Sequence, residues 1–142
     1  MQWLYDGWKN NGSQLTPQTA QMLDEQQLKE AMALTAGMMA FIDDAVGAIM
    51  QTLQANGQLE NTVICYNSDH GDYLGDYNMI LKGALPFKGI TRVPFIWSDP
   101  QSRNASSTNE LASTVDLAAT ILDRAGLEPF NGNQGKSFKT II

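Results

Sequence analysis

Residues 61–72 of the chain read NTVICYNSDHGD and join an apolar run to a polar turn. Residues 62–66 are rich in β-branched and aromatic side chains and lack polar alternation, which predicts a strand buried on both faces. Ser68, Asp69, His70 and Gly71 then follow at the carboxyl end of this strand, where open α/β sheets bind their ligands. The segment therefore predicts the fold class and also locates the chemistry.

A long polar loop and a second strand follow this turn. Residues 68–92 are punctuated by glycine and exceed a simple turn, and long loops of this kind are usually functional. Residues 93–97 predict a second buried strand, with Pro94 at its start because proline cannot donate to a ladder. Two or three strands are few for a parallel sheet, whose faces and edges need cover. The shortage indicates a partner segment outside this sequence.

Helices are predicted before and after the two strands along the chain. Apolar residues at helical spacing predict one long helix over residues 16–56, opened by Thr16 and Pro17 and ended before Gly57, either continuous or broken near residues 23–26. Its methionines are predicted to fill gaps in a core. A second helix is predicted over residues 111–125. Helix, strand, loop, strand and helix in this order indicate an α/β layered sheet.

Bulk composition restricts the classes of partner. The chain has 142 residues, of which 43% are hydrophobic and 17% charged, so one domain with a core is expected. The formal net charge of −6 argues against nucleic acid or an anionic membrane surface, since both need a basic face. No stretch reaches the roughly 18–20 apolar residues of a membrane span. The single cysteine, Cys65, lies in an apolar run, which predicts a buried and inert thiol.

Asp69 and His70 form the candidate metal site. A carboxylate and an imidazole side by side can both reach one cation, and Gly71 permits the tight turn that directs them. Zinc needs about four ligands and calcium six or more, so further ligands must come from elsewhere. The alternative interpretation makes Asp69 a turn cap and His70 a polar surface residue. Spacing alone leaves both interpretations open.

The segment of residues 61–77 resembles the sulfatase family's segment that reads nTvviftSDHGe.lGdh. Further segments resemble the family in the same order, and each of them is weak alone. They are residues 41–47 (FIDDAVG), 81–83 (LKG), 91–96 (TRVPFI), 113–122 (STVDLAATIL) and 135–138 (GKSF). Together they cover nearly the whole chain after residue 20, so the sequence resembles the C-terminal part of a sulfatase catalytic domain.

This resemblance implies a partial alkaline phosphatase-like fold, a three-layer α/β/α sandwich represented by its C-terminal portion. One partial domain over residues 1–142 is expected. It would consist of an irregular lead-in at 1–15, the long helix at 16–56, a strand, metal loop and strand at 62–100, and a helix and tail at 111–142.

The resemblance also implies site residues and cofactors. Asp69 and His70 align with metal ligands, although many sulfatases have Asn at the position of His70, and Lys82 aligns with the lysine that contacts the sulfate. The metal is expected to be Ca²⁺, with Mn²⁺ or Mg²⁺ as alternatives. The family's formylglycine arises from a C/S-x-P-S/A-R motif in its first half. Tyr66 follows Cys65 directly and no such motif occurs in the sequence, so the nucleophile is expected outside this chain.

Other positions depart from the family pattern or have structural roles. Tyr77 replaces a common His and Lys88 replaces a frequent acidic residue, and both changes could alter substrate contacts. Asp43, Arg92 and Asp116 are expected to form structural ion pairs or caps.

Three functions remain open at this point. The first is a fragment of a sulfuric ester hydrolase, inactive alone, whose parent acts on a sulfate ester. The second is a fragment of a phosphonate monoester or phosphodiester hydrolase of the same superfamily, because sulfate and phosphate esters present similar tetrahedral oxyanions. The third is a non-catalytic α/β domain that forms a homodimer through exposed sheet edges.

Overall fold

The computed structural model of the chain describes residues 24–102 and 104–142. These residues form two compact units, one of residues 24–62 and 66–96 and one of residues 63–65 and 97–142. The described α-helices are α1 (Glu25–Ala55), α2 (Lys88–Thr91) and α3 (Asp116–Arg124), and the strands are β1 (Ile64–Asn67) and β2 (Phe95–Ser98). Within the described residues the two strands pair in a two-stranded sheet, so the fold is a partial α/β arrangement.

The ends of α1 follow from local capping. Asp24 accepts a hydrogen bond from the backbone N–H of Gln27 at 2.8 Å, and the Gln27 side chain accepts one from the N–H of Asp24 at 3.1 Å. This capping box satisfies two N–H groups that the first helical turn leaves free. At the other end Gly57 has a φ of 66°, as the sequence predicts. The predicted opening at Thr16 lies outside the described residues, as does the lead-in at 1–15.

The apolar face of α1 is uncovered in the described part of the chain. None of its residues is buried, and Met38, Met39 and Phe41 are 57%, 65% and 76% exposed. The prediction that the methionines fill a core is therefore wrong for Met38 and Met39. A helix satisfies its own backbone hydrogen bonds, so it can form without a partner element on its apolar face.

By length and composition alone, α1 could cross a membrane. Its most apolar window has a mean hydropathy of 1.4 and is 0% buried. The sequence predicts no such span, since no uninterrupted apolar stretch is long enough. Asp43 and Asp44 interrupt the apolar run, and each would cost about 2.5–3.5 kcal/mol at the centre of a bilayer. The core helix of a soluble protein meets the same criterion, so the finding is weak evidence. The expected absence of a membrane partner remains a prediction.

Both strands are shorter and more exposed than predicted. β1 begins at Ile64 and is half-buried, and Cys65 within it is exposed. β2 begins at Phe95, after Pro94, and Ile96 is 60% exposed. The predictions of two buried strands and a buried thiol are therefore wrong. A run of apolar residues indicates that a strand favours burial. Two paired strands alone do not provide the layers that would cover both faces of the sheet.

In the unit of residues 97–142, α3 holds the tail. The helix begins at Asp116, five residues later than predicted, and Leu111 is 99% exposed. The carboxylate of Asp116 accepts hydrogen bonds from the backbone N–H groups of Ser113 at 3.0 Å and Lys136 at 2.8 Å, which is a structural role, although no side chain caps the start of α3. Two backbone hydrogen bonds to one carboxylate fix the segment before the helix in a turn and also fix the start of the tail.

Asp99 and Arg124 form an ion pair in the same unit. Asp99 is 9% exposed and accepts hydrogen bonds from Nε and Nη2 of Arg124, the latter at 2.8 Å. The Arg124 guanidinium, helped by the backbone N–H of Gln101, lowers the pKa of Asp99 from 3.8 to about 2. A charged carboxylate at low exposure needs such a partner, so this pair supports the position of α3 beside the residues that follow β2.

Candidate functional site

The turn after β1 places Asp69 and His70 side by side. The Ser68 hydroxyl donates to the carbonyl oxygen of His70 at 2.8 Å, and Oδ1 of Asp69 accepts from the backbone N–H of His70 at 2.9 Å. These local bonds follow from residue type, because Ser and Asp side chains readily bond to nearby backbone groups. They fix the turn in which both candidate ligands emerge at the end of the strand.

Gly71 fixes this turn against the segment that contains α2. Its N–H donates to the carbonyl oxygen of Ile90 at 2.9 Å. A Cβ atom at Gly71 would lie 1.8 Å from the carbonyl oxygen of Gly89. The glycine is therefore required by the close approach of two backbones, in addition to the turn that the sequence suggests.

The imidazole of His70 has a defined orientation. Its Nδ1 lies 2.9 Å from the carbonyl oxygen of Gly71, and a carbonyl can only accept, so we assign the ring proton to Nδ1. Nε2 then presents its lone pair 2.8 Å from the ammonium nitrogen of Lys82 and 3.3 Å from Oδ2 of Asp69. A ring N–H bonded to a carbonyl, with the other nitrogen directed outward, is the usual arrangement of a metal-binding histidine.

Asp69 is solvent-exposed and electrostatically favoured in its ionised form. Its side chain is 82% exposed. The backbone N–H of His70 lowers the pKa of Asp69, and the positive charge of Lys82 lowers it further. The carboxylate is therefore ionised at neutral pH and available to a cation.

The donor set fits a divalent cation in part. A carboxylate oxygen and an imidazole nitrogen lie within 3.3 Å of each other, which suits a shared ion. Among residues 24–102 and 104–142, however, no group of three or more His, Cys, Asp and Glu side chains could hold a metal. Asp69 and His70 thus supply two ligands and leave the others to a different source. A cation on Nε2 would also replace the Lys82 ammonium there.

The contacts that fix the backbone on both sides of Lys82 were not predicted from the sequence. Tyr73 is 1% exposed and bonds to Leu81 and Leu85 on either side of Lys82. Leu81 itself has a φ of 66°, which is uncommon for a residue with a side chain. Neither residue type nor spacing predicts these contacts, because they depend on the conformation of the loop.

Tyr77 lies in the same loop. It has a φ of 54°, its ring stacks on Phe87 with centroids 4.2 Å apart, and it is 73% exposed. Tyr77, which departs from the family pattern, therefore lies at the surface and stacks on Phe87. Its expected effect on substrate contacts remains a prediction.

The chain is similar to a known family and to several known proteins. The family model described as Sulfatase matches residues 3–127. An arylsulfatase from Clostridium perfringens is 33% identical over 125 residues, which cover 85% of this chain and 26% of the relative.

Solved structures agree with this match. A phosphonate monoester hydrolase from Silicibacter pomeroyi superposes with a TM-score of 0.78 at 25% identity and covers 83% of this chain and 23% of its own. A protein solved in complex with its substrate D-glucosamine-2-N,6-O-disulfate gives a TM-score of 0.61 at 34% identity, covering 70% of this chain and 20% of its own. The chain thus spans about a quarter or less of the length of these proteins. These neighbours have the alkaline phosphatase-like fold, which is the fold expected from the sequence.

Proposed function

This chain belongs to the sulfatase family, and from that premise we propose that it contributes two metal ligands, Asp69 and His70, and a sulfate-binding lysine, Lys82, to a sulfuric ester hydrolase. The observation that carries the proposal is the convergence of three side chains from one loop. Oδ2 of Asp69 and Nζ of Lys82 lie 3.3 Å and 2.8 Å from the same nitrogen of His70. A cation site and an ammonium at this distance can bind one sulfate group together.

We assign the metal position to Asp69 and His70. Ca²⁺ is the first candidate, with Mn²⁺ or Mg²⁺ as alternatives, because a carboxylate oxygen favours hard divalent ions. Such an ion, when bound, polarises an oxygen of the ester's oxyanion. Lys82 binds a second oxygen and stabilises the charge that develops there. The formylglycine nucleophile belongs to a part of the domain that this sequence does not contain, since no C/S-x-P-S/A-R motif occurs in it.

The chain alone is expected to be inactive. Cys65 is followed by Tyr66 and Asn67 and cannot be the formylglycine precursor in the family's motif. The test is an assay with 4-nitrophenyl sulfate, with and without Ca²⁺, on this chain. Turnover that depends on Ca²⁺ and disappears in Lys82→Met would show that the chain contains a complete catalytic site, against this proposal.

Metal binding can be tested without turnover. His70 is the only histidine, so its ring nitrogens give one set of NMR signals to follow during Ca²⁺ and Mn²⁺ titrations. We expect Mn²⁺ to broaden these signals selectively and Ca²⁺ to reverse the broadening. Asp69→Asn weakens the effect, whereas Asp72→Asn is the matched control, because its Oδ1 accepts from the N–H of Leu74. Equal broadening in both variants would show that Asp69 is not a ligand of the metal ion.

A second candidate is a phosphonate monoester or phosphodiester hydrolase parent. The likeness to the Silicibacter pomeroyi hydrolase favours it, because that structure superposes better than the one bound to a sulfated sugar. His70 and Lys82 would act in the same way on a phosphonate oxyanion. The measurement is the ratio of turnover of 4-nitrophenyl sulfate to that of 4-nitrophenyl phenylphosphonate by the full-length protein that carries this segment. A ratio that favours the phosphonate selects the second candidate.

A third candidate is a non-catalytic domain that forms a homodimer. The exposed α1 face and the small size of the sheet, which has two strands in the described part, favour self-association. Light scattering over a range of concentrations tests it. A monomer at high concentration would reject the dimer. A net charge of −6 remains the argument against nucleic acid as a partner.

A further inference from the structure

Tyr73 is the most deeply placed aromatic residue near the candidate site. It is 1% exposed and lies three residues after His70 along the chain. Its ring meets that of Phe87 edge to face, with centroids 6.1 Å apart and planes at 65°. This packing fixes the direction in which the phenol points.

The polar groups of Tyr73 hold both ends of one short segment. Its backbone N–H donates to the carbonyl oxygen of Leu81 at 2.9 Å. Its hydroxyl donates to the carbonyl oxygen of Leu85 at 2.9 Å and accepts from the N–H of Leu85 at 3.1 Å. Lys82 lies between these two attachment points, so its backbone is anchored on both sides.

The conformation of Leu81 shows why an anchor is needed. Its φ of 66° is in the left-handed region, where a side chain is strained, and it directly precedes Lys82. Such a conformation persists only when surrounding contacts determine it. The hydrogen bond from Tyr73 to the Leu81 carbonyl is one such contact.

We propose that Tyr73 is a positioning residue that holds Lys82 against His70. The proposal deepens the proposed function and rests on it for the role of Lys82 in oxyanion binding. Tyr73 itself touches neither Lys82 nor His70 through a hydrogen bond; it acts through the backbone of Leu81 and Leu85. The hydroxyl therefore matters because it determines the position of the ammonium.

The test uses this chain and the signals of its only histidine. Tyr73→Phe removes the hydroxyl and keeps the ring. Tyr77→Phe is the matched control, because it makes the same change on an exposed ring that stacks on the same Phe87. Lys82→Met gives the position of the His70 Nε2 resonance when the ammonium is absent.

We expect Tyr73→Phe to shift the Nε2 resonance of His70 toward its position in Lys82→Met. Nδ1, which bonds to the carbonyl oxygen of Gly71, is expected to keep its own position. A general loss of structure would move both nitrogens and would not be selective for Nε2. An unchanged Nε2 in Tyr73→Phe overturns the proposal, as does an unchanged Nε2 in Lys82→Met or an equal shift in Tyr77→Phe.

A measurement on the unmodified chain applies if Tyr73→Phe does not fold. The amide of Leu85 is expected to exchange with solvent slowly, because it donates to a hydroxyl on a buried ring. Exchange at the rate of an unprotected amide in the folded chain would overturn the proposal. The outcome is separate from that of the metal titration, because the Lys82 contact can be present in a chain that binds no cation.

Discussion

The ammonium nitrogen of Lys82 lies 2.8 Å from Nε2 of His70, although the two residues are twelve positions apart in the chain. The other ring nitrogen is engaged by the carbonyl oxygen of Gly71, so Nε2 has the free lone pair and the ammonium donates to it. This is the same atom that we assign to the metal. In this chain the lysine and a cation therefore compete for one nitrogen.

Lys82→Met is expected to tighten metal binding by the isolated chain. The substitution removes a positive charge and frees Nε2 of His70, and a unit charge about 4 Å from a divalent ion contributes about 2 kcal/mol even in water, or about thirtyfold in affinity. Mn²⁺ broadening of the His70 signals measures the change. Lys88→Met is the control, since it removes an exposed lysine at the start of α2. Weaker binding in Lys82→Met would contradict the competition.

The Asp99–Arg124 pair predicts a pH dependence of stability. The pKa of Asp99 is lowered from 3.8 to about 2 by the guanidinium of Arg124. The unfolded chain then binds more protons than the folded chain between these two values, so the contribution is complete above about pH 4 and is lost as the pH falls toward 2.

Urea unfolding at several pH values measures this dependence. Asp99→Asn is expected to reduce the free energy of unfolding at neutral pH by about 1.5–3 kcal/mol, the range for a hydrogen bond to a charged group. It is also expected to flatten the decline between pH 4 and 2. Asp43→Asn removes an exposed carboxylate of α1 and provides the control. An equal flattening in both variants would assign the decline to other carboxylates.

Gly71→Ala is expected to disrupt the candidate site. The new Cβ would lie 1.8 Å from the carbonyl oxygen of Gly89, so one of the two backbones must move. Gly47→Ala is the matched control, because nothing lies within 4 Å of a Cβ there and alanine favours a helix interior by about 1 kcal/mol. The His70 signals and thermal unfolding measure both effects. Preserved His70 signals in Gly71→Ala would contradict the close approach.

Parts of this structure could be predicted from the sequence because they depend on local chemistry or family spacing. Gly57 at the end of α1 is one such feature, and the location of Lys82 near His70 is another. The burial of α1 could not be predicted, since periodicity shows which face is apolar and not whether another layer covers it. The contacts of Tyr73 were also missed, because they join residues whose proximity depends on the conformation of the loop.

Thr120→Val is expected to loosen the tail from α3. Thr120 is 0% exposed, and its hydroxyl donates to the carbonyl oxygen of Asp116 at 2.8 Å while it accepts from the N–H of Phe138 at 3.1 Å. Valine keeps the shape of the side chain and removes the acceptor from a buried donor. We expect a loss of about 1–3 kcal/mol in the free energy of unfolding. Thr52→Val removes the corresponding bond to Ala48 on the exposed surface of α1, and a change within about 0.5 kcal/mol is expected there. Urea unfolding followed by circular dichroism compares the two variants, and equal losses would show that the Phe138 hydrogen bond does not hold the tail.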